Sequence, residues 1–331
     1  MRTILLSTTM VLALVAAPAL AADMAVKAKP VAPVAEPSPW DIAFGSALMT
    51  DYNFRGITQS AHKPSVAAYF EPRYNVNKDL QLYIGTSGES IDFPNHAAAE
   101  IDFYGGVRPT FGSLALDFGG WYYYYPGGIT FNGLGTVATC TNGFFTMTAF
   151  SLGTPVCNTL KGNVSFWEVY GKATYTINDF VSVGANAFYS PSWLNSGAPG
   201  TYASGTAKLT APSSMLPKDV GVYVSGELGH YWFGTTDSFY GTPLLPAGIK
   251  YPDYTTWNVG LAVTYKVFTF DLRYYDTDLS RGNCNVLTGD HTASFGAGNA
   301  SPTNPDGLGS NWCGSAVIAK LSVDTTLAAL K

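Results

Sequence analysis

Residues 255–277, counted by twos, separate into two lists. Trp257, Val259, Leu261, Val263 and Tyr265 fall on one side, and Thr256, Asn258, Gly260, Ala262 and Thr264 on the other. A strand sends successive side chains to opposite faces, so this stretch has one apolar face and one small, polar face. The pattern then repeats, with Phe268, Phe270, Leu272 and Tyr274 against Thr269, Asp271, Arg273 and Tyr275. A two-residue turn at Lys266 and Val267 would pair Tyr265 with Phe268 and keep both on the apolar face. Both apolar lists begin and end with an aromatic residue. From Trp257 to Tyr265 an extended chain covers about 27 Å, or roughly 20 Å of height at a 45° tilt. That approaches the apolar band of a membrane barrel, about 25 Å tall and edged by aromatic girdles.

A soluble two-sheet sandwich also alternates, but it turns its polar face to water and needs Lys and Glu there. Here that face is Thr, Asn, Gly and Ala with one carboxylate and one guanidinium. The whole chain agrees: 12% of its 331 residues are charged, against about 25% in ordinary soluble domains. Its 35 glycines and 21 tyrosines suit tight sheet packing and membrane-interface aromatics. A formal charge of −5 argues against a nucleic-acid partner.

Residues 1–22 read as a secretory signal, with Arg2, an apolar run from Val11 to Ala17 and the small-residue site Ala19-Leu20-Ala21. Beyond it no stretch of about 18 apolar residues could span as a helix. A closed barrel is the membrane architecture that remains. Residues 23–40, rich in Pro, Ala, Val and Lys, read as an extended periplasmic linker. Residues 41–331 then form one transmembrane antiparallel up-and-down β-barrel.

Alternation predicts about twelve strands: 41–52, 66–76, 80–86, 100–107, 113–125, 165–176, 180–189, 201–210, 219–231, 256–265, 268–277 and 315–325. An even count suits single-chain bacterial barrels. Connections near residues 77, 110, 178, 215 and 266 are short. Those over 53–65, 88–98, 126–162, 191–200, 233–252 and 277–314 are longer. Short periplasmic turns and long external loops would produce this segregation, with both termini in the periplasm. Cys140, Cys157, Cys284 and Cys313 all fall in external loops. Four cysteines allow three connectivities, and pairing within each loop is the expectation in an oxidising compartment. Neither pair has the short spacing of a zinc site, so no metal and no cofactor is expected.

The stretch Ser46-Ala47-Leu48-Met49-Thr50-Asp51-Tyr52-Asn53-Phe54-Arg55-Gly56-Ile57-Thr58-Gln59-Ser60, with Pro64 beyond it, resembles the opening of the TorF-type family of proteobacterial outer-membrane porins. That family is known by a Tyr-x-Phe-Arg-Gly-Ile signature after an N-terminal strand. The resemblance implies an outer-membrane barrel with a channel role and leaves the solute undefined. The chain departs from the pattern in its long, cysteine-bearing loops. It also ends Ala329-Leu330-Lys331, where many such barrels present a terminal aromatic to the barrel-assembly machinery. Outer-membrane lipid, that machinery and small hydrophilic solutes are the expected partners.

Continuing the first strand's alternation puts Asp51, Asn53 and Arg55 on the lumen face and Tyr52 and Phe54 in the outer girdle. Gly56 would permit a sharp exit turn. The other inward charges are Glu71, Arg73, Glu100, Asp102, Arg108, Asp117, Glu168, Lys172, Glu227, Asp271, Arg273, Lys320 and Asp324. These residues are the expected pore lining. Acids outnumber bases, so an open pore should mildly prefer cations. The same charges could instead lock together as a plug, since small barrels are often filled. The long segment 126–162 carries Ile129, Phe131, Phe144, Phe145, Met147 and Phe150, with Lys161 its one charge. It is expected to fold inward as a constriction or to cover the mouth.

The rival function is a lipid hydrolase, which needs Ser, His and an orienting group within reach of one another. His62, His96, His230 and His291 lie in loops or at a rim, no His-x-Ser pair occurs, and there is no Gly-x-Ser-x-Gly elbow. Asp276-Thr277-Asp278 lacks the loop glycine and further carboxylates of a calcium loop. The expected function is therefore passive diffusion, with a plugged structural barrel as the alternative.

Overall fold

In hydrocarbon every backbone N–H and C=O must find a partner inside the protein, and a sheet achieves this only by closing on itself. The computed structural model describes residues 39–132, 140–141, 144–145, 158–242 and 244–330. It shows twelve strands in one closed antiparallel barrel. They are β1 (Trp40–Met49), β2 (Ser65–Asn77), β3 (Leu80–Glu89), β4 (Glu100–Phe111), β5 (Leu114–Tyr124) and β6 (Phe166–Asn178). The second half is β7 (Val181–Ser190), β8 (Gly200–Thr210), β9 (Val220–Phe233), β10 (Tyr254–Tyr265), β11 (Phe268–Thr277) and β12 (Ala316–Thr326). Each strand pairs with the next, and β12 returns to β1 with Ala43 opposite Thr326 and Met49 opposite Lys320. This is the architecture of the outer-membrane barrels of Gram-negative bacteria. Among the described residues no helix is long and apolar enough to cross a membrane.

The opening hairpin forms as its pattern requires. Tyr265 pairs with Phe268 around Lys266 and Val267, and Lys266 takes the left-handed backbone (φ 54°) that the tight reversal needs. Asparagines close two other short turns: Asn77 Oδ1 accepts the Asp79 N–H at 2.8 Å, and Asn178 Oδ1 accepts that of Phe180 at 2.9 Å.

The sheet is apolar outside and polar inside. Ile84, Phe103, Leu228, Leu261 and Val317 all stand exposed on the outer face, Ile84 at 67%. Trp40, Tyr74, Phe111, Tyr175, Tyr265 and Phe268 ring the short-turn end, and Tyr122, Tyr124, Trp167, Tyr189 and Trp232 ring the loop end. A soluble protein does not expose so large a continuous apolar surface. The belt faces lipid. Glu71, Asp102, Arg108, Asp117, Glu168, Lys172 and Asp271 are buried on the opposite face.

Three boundaries differ most from the alternation pattern. β1 stops at Met49, β3 runs on to Glu89, and β4 runs on through Pro109 to Phe111. Residues 1–38, Cys140–Cys157 pairing and most of the apolar stretch 133–157 lie outside the described residues. The described parts of that long connection pair with each other, Phe131–Asn132 against Thr159–Leu160.

An arginine in place of Leu261, mid-strand on the lipid face, should destabilise the barrel by about 2–4 kcal/mol. Equilibrium urea unfolding in lipid vesicles would measure it.

Candidate functional site

After Met49 the chain leaves the wall and turns into the lumen. Asn53 pairs with Thr58 and Phe54 with Ile57. Arg55 and Gly56 between them both have positive φ, 50° and 89°. Two left-handed residues in succession make a type I′ reversal, the tightest hairpin tip. Only glycine suits the second place: a Cβ on Gly56 would run into the side chains of Thr256 and Thr277. Asn53 Oδ1 accepts the Gly56 N–H at 2.9 Å and completes the tip.

Tyr52 and Phe54 therefore do not stand in the outer girdle. Tyr52 is 2% exposed and donates its hydroxyl to Glu100 Oε1 at 2.6 Å. Phe54 lies inside against Tyr123, ring centroids 5.9 Å apart. Strand alternation holds only while the strand lasts, and β1 ends before either residue.

The hairpin aims Arg55 across the lumen at Glu168 on β6. Its Nη1 and Nη2 each donate to one carboxylate oxygen at 2.8 Å, a bidentate clamp. Nη1 also donates to the Tyr231 hydroxyl at 2.9 Å, and Tyr123 donates to Glu168 Oε2 at 3.1 Å. Phe54, Phe188, Tyr202 and Tyr231 surround the guanidinium at 4.4–5.1 Å from ring centroid to Cζ. The Arg55 side chain is 6% exposed and that of Glu168 0%. Tyr254 donates to the Arg55 carbonyl at 2.9 Å, so the backbone is held as well.

Asp51 fastens the base of the hairpin and does not reach Arg55's partners. It accepts from Thr58 Oγ1 at 2.5 Å and Ser60 Oγ at 2.9 Å, and it meets His62 Nδ1 at 2.8 Å. The other ring nitrogen of His62 lies 3.2 Å from the Asn311 carbonyl. His62 was reached by no strand pattern; its only sequence signal is its place in the loop after the Arg-Gly tip. The hydrogen bond to Asp51, aided by that carboxylate's charge, raises the imidazole above its ordinary range despite partial burial.

The external loops close over this hairpin. Phe93, Tyr125, Trp193, Tyr240, Tyr251, Leu287 and Trp312 form one buried cluster. Lys161 ties two loops together, donating to the Asn195 carbonyl at 2.7 Å and to Asp237. A helix, α1 (Arg281–Thr288), carries Cys284, which is disulfide-bonded to Cys313. The alternation pattern predicts no helix here; Ser280 caps it by accepting the Asn283 N–H, and Gly289 follows it with φ 58°.

Below the hairpin the lumen divides. Toward β2–β5 it is filled. Arg108 spans Glu71 (2.7 Å) and Asp117 (3.4 Å), Arg73 reaches Glu71 at 2.6 Å, and Tyr83 bonds both Asp117 and Tyr170. Tyr104 and Trp121 stack above them with centroids 4.0 Å apart. Toward β6–β12 a cavity of about 290 Å³ extends from the hairpin to Ser182 and Lys208 near the short-turn end. Its wall carries Arg55, Lys172, Lys208, Arg273 and Lys320 against Asp102, Glu227 and Asp271. Arg273 is forked onto Asp271 and also donates to Asn258 and Ser225. Glu227 accepts from Tyr202 at 2.9 Å.

No histidine ring nitrogen among the described residues bonds a serine hydroxyl. His230 meets Thr255 Oγ1 at 3.0 Å, and His291 packs edge-on against Trp312.

Over residues 34–164 the chain matches a family described as bacterial protein of unknown function, Gcw_chp. No curated protein matches it by sequence. Among solved structures, an outer membrane channel from Pseudomonas putida F1 is 11% identical with a TM-score of 0.41, covering 91% of this chain and 100% of its own. The NanC porin is 9% identical at a TM-score of 0.39, with 86% and 98% covered. The KdgM porin, solved in complex with disordered oligogalacturonate, is 7% identical at 0.37, with 86% and 97% covered.

Protonated His62 is the form that Asp51 holds, so loop docking is fully supported below about pH 6.5 and fades as pH climbs past the raised value. Amide hydrogen exchange over residues 59–63, corrected for its intrinsic pH dependence, should accelerate over that rise, and His62→Ala should remove the pH dependence. Replacing both Cys284 and Cys313 with Ser releases a crosslink whose ends are 29 residues apart. The chain-entropy argument puts the loss at about 3–4 kcal/mol. Faster proteolysis within 278–315, with the barrel itself still resistant, would report it.

Proposed function

We propose that this protein is an outer-membrane channel for the passive diffusion of small hydrophilic solutes, closed at rest by the Arg55 hairpin. One observation carries the reading: a chain segment is clamped across the lumen by an ion pair, directly above a polar cavity. A permanent plug has little use for such a clamp, because well-packed apolar side chains in place of a buried ion pair are often neutral or stabilising. A charge clamp can be released as a unit, since losing either partner strands the other charge. The Tyr-x-Phe-Arg-Gly-Ile resemblance to TorF-type porins covers the same hairpin and accords with this role.

The full set of inward charges predicts a mild cation preference. The cavity wall carries a different balance, with five cationic residues against three acidic ones. Of the other acids, Glu71 and Asp117 are spent on Arg108 away from it, while Glu168 neutralises Arg55, itself one of the five. Opening withdraws Arg55 and frees Glu168, which brings the wall to four cations against four acids, so we keep for the open conduit the mild cation preference of the full inward set.

The second reading, a plugged structural barrel, is favoured by the filled half of the lumen around Arg108. Planar-bilayer recording separates the two. The wild-type protein should show infrequent small steps, and Arg55→Ala, or Glu168→Gln, should open larger and longer ones with the barrel intact. Breaking the pair costs about 3–5 kcal/mol of local stability, enough to free a two-rung hairpin. Silence from all three proteins would establish the plug, and a reversal potential toward the anion side would reject the charge assignment.

A further inference from the structure

Three carboxylates meet where the hairpin enters the lumen. Glu89 ends β3, Glu100 begins β4, and the two are register partners; Asp102 lies two residues further along the same inward face. They are 3%, 2% and 1% exposed. One oxygen from each lies within 4.8 Å of the others. Glu100 is well supplied with donors, accepting from Tyr52 at 2.6 Å and Tyr125 at 2.7 Å. The other two are not. Both oxygens of Glu89 and Oδ1 of Asp102 are buried without a hydrogen-bond partner, while Asp102 Oδ2 accepts from Ser87 at 3.0 Å. A void of about 20 Å³ adjoins Glu89 and Ser87 on the side of Ser322 and Asp324, room for one water at the edge of the cluster. None of the ion pairs among the described residues involves any of the three acids.

Buried carboxylates this close cannot all stay ionised without positive charge among them. We propose that Glu89, Glu100 and Asp102 bind one hard divalent cation, calcium by preference, which pins the lumen hairpin to the barrel wall. The donors are all oxygen, as calcium and magnesium require. Three buried carboxylates with little room for retained water suit calcium, since magnesium usually keeps several waters and takes only one or two carboxylates. Glu89 through both oxygens, with one each from Asp102 and Glu100, would supply four ligands and leave room for a water. The link to the hairpin is Tyr52, whose hydroxyl sits on Glu100. This site does not depend on what, if anything, the lumen passes.

The test uses the full-length protein in detergent micelles at neutral pH, stripped with chelator and titrated with calcium or magnesium. Calorimetry should show a single calcium site and the thermal unfolding midpoint should rise, with magnesium weaker in both. Glu89→Gln and Asp102→Asn should raise the midpoint of the stripped protein, by removing an uncompensated charge, and abolish the calcium response. Wild-type protein indifferent to calcium would overturn the proposal and leave the acids sharing protons. So would an unchanged calcium response in both variants. If the variants fail to fold, terbium bound by the wild type should luminesce through the adjoining tyrosines and be displaced by calcium; absence of that signal also overturns the site.

Discussion

A sheet in lipid has no water to satisfy its edges, so the pairing of β12 with β1 decides whether any of this structure exists. That seam fixes the strand tilt and shear, and with them which side chains converge in the lumen. Strand alternation does the rest: every second residue meets hydrocarbon, and every other one is forced inside. The interior is thus populated by whatever is not apolar, in a space too narrow to hydrate it fully.

The interior solves this in three ways. Charges pair, as Arg108 does with Glu71 and Asp117 and Arg55 with Glu168. Tyrosines lend hydroxyls to the carboxylates and rings to the cations, as Tyr83 does by bonding Asp117 while lying 3.6 Å beneath Arg108. Small residues make room: Gly85 has no side chain because the Tyr104 ring lies against it. At Glu89 and Asp102 three buried carboxylate oxygens go unsupplied within one cluster of acids, which is why that corner stands out in the lumen.

Much of the frame was legible from residue order. All twelve strands, the reversal at Lys266 and Val267, and the outward face of Val259, Leu261, Phe268 and Phe270 follow from a period of two, because a lipid boundary enforces that period at each position. Pairing of Cys284 with Cys313 followed from their sharing a loop. The hairpin was partly legible: Arg55-Gly56 signalled a sharp turn, and Arg55 points inward. Tyr52 and Phe54 were placed on the wrong side by extending alternation past Met49. Glu89 was overlooked because Gly88 and Glu89 look like the start of a loop, whereas their pairing with Glu100 and Ile101 keeps β3 in the sheet.

The order of residues alone determined a closed, lipid-facing, up-and-down barrel with long loops at one end. Hydrophobic exposure and backbone pairing are local requirements, and each strand states its own. Which charges meet was decided only by closure. Arg55 and Glu168 are 113 residues apart, and nothing near either one names the other. Their contact arises because the barrel brings β6 opposite the point where β1 ends, and because a left-handed dipeptide turns the chain inward there. The same closure sets Glu89 beside Glu100, which Tyr52 also reaches, so that residues unremarkable in sequence become a buried cluster of three acids.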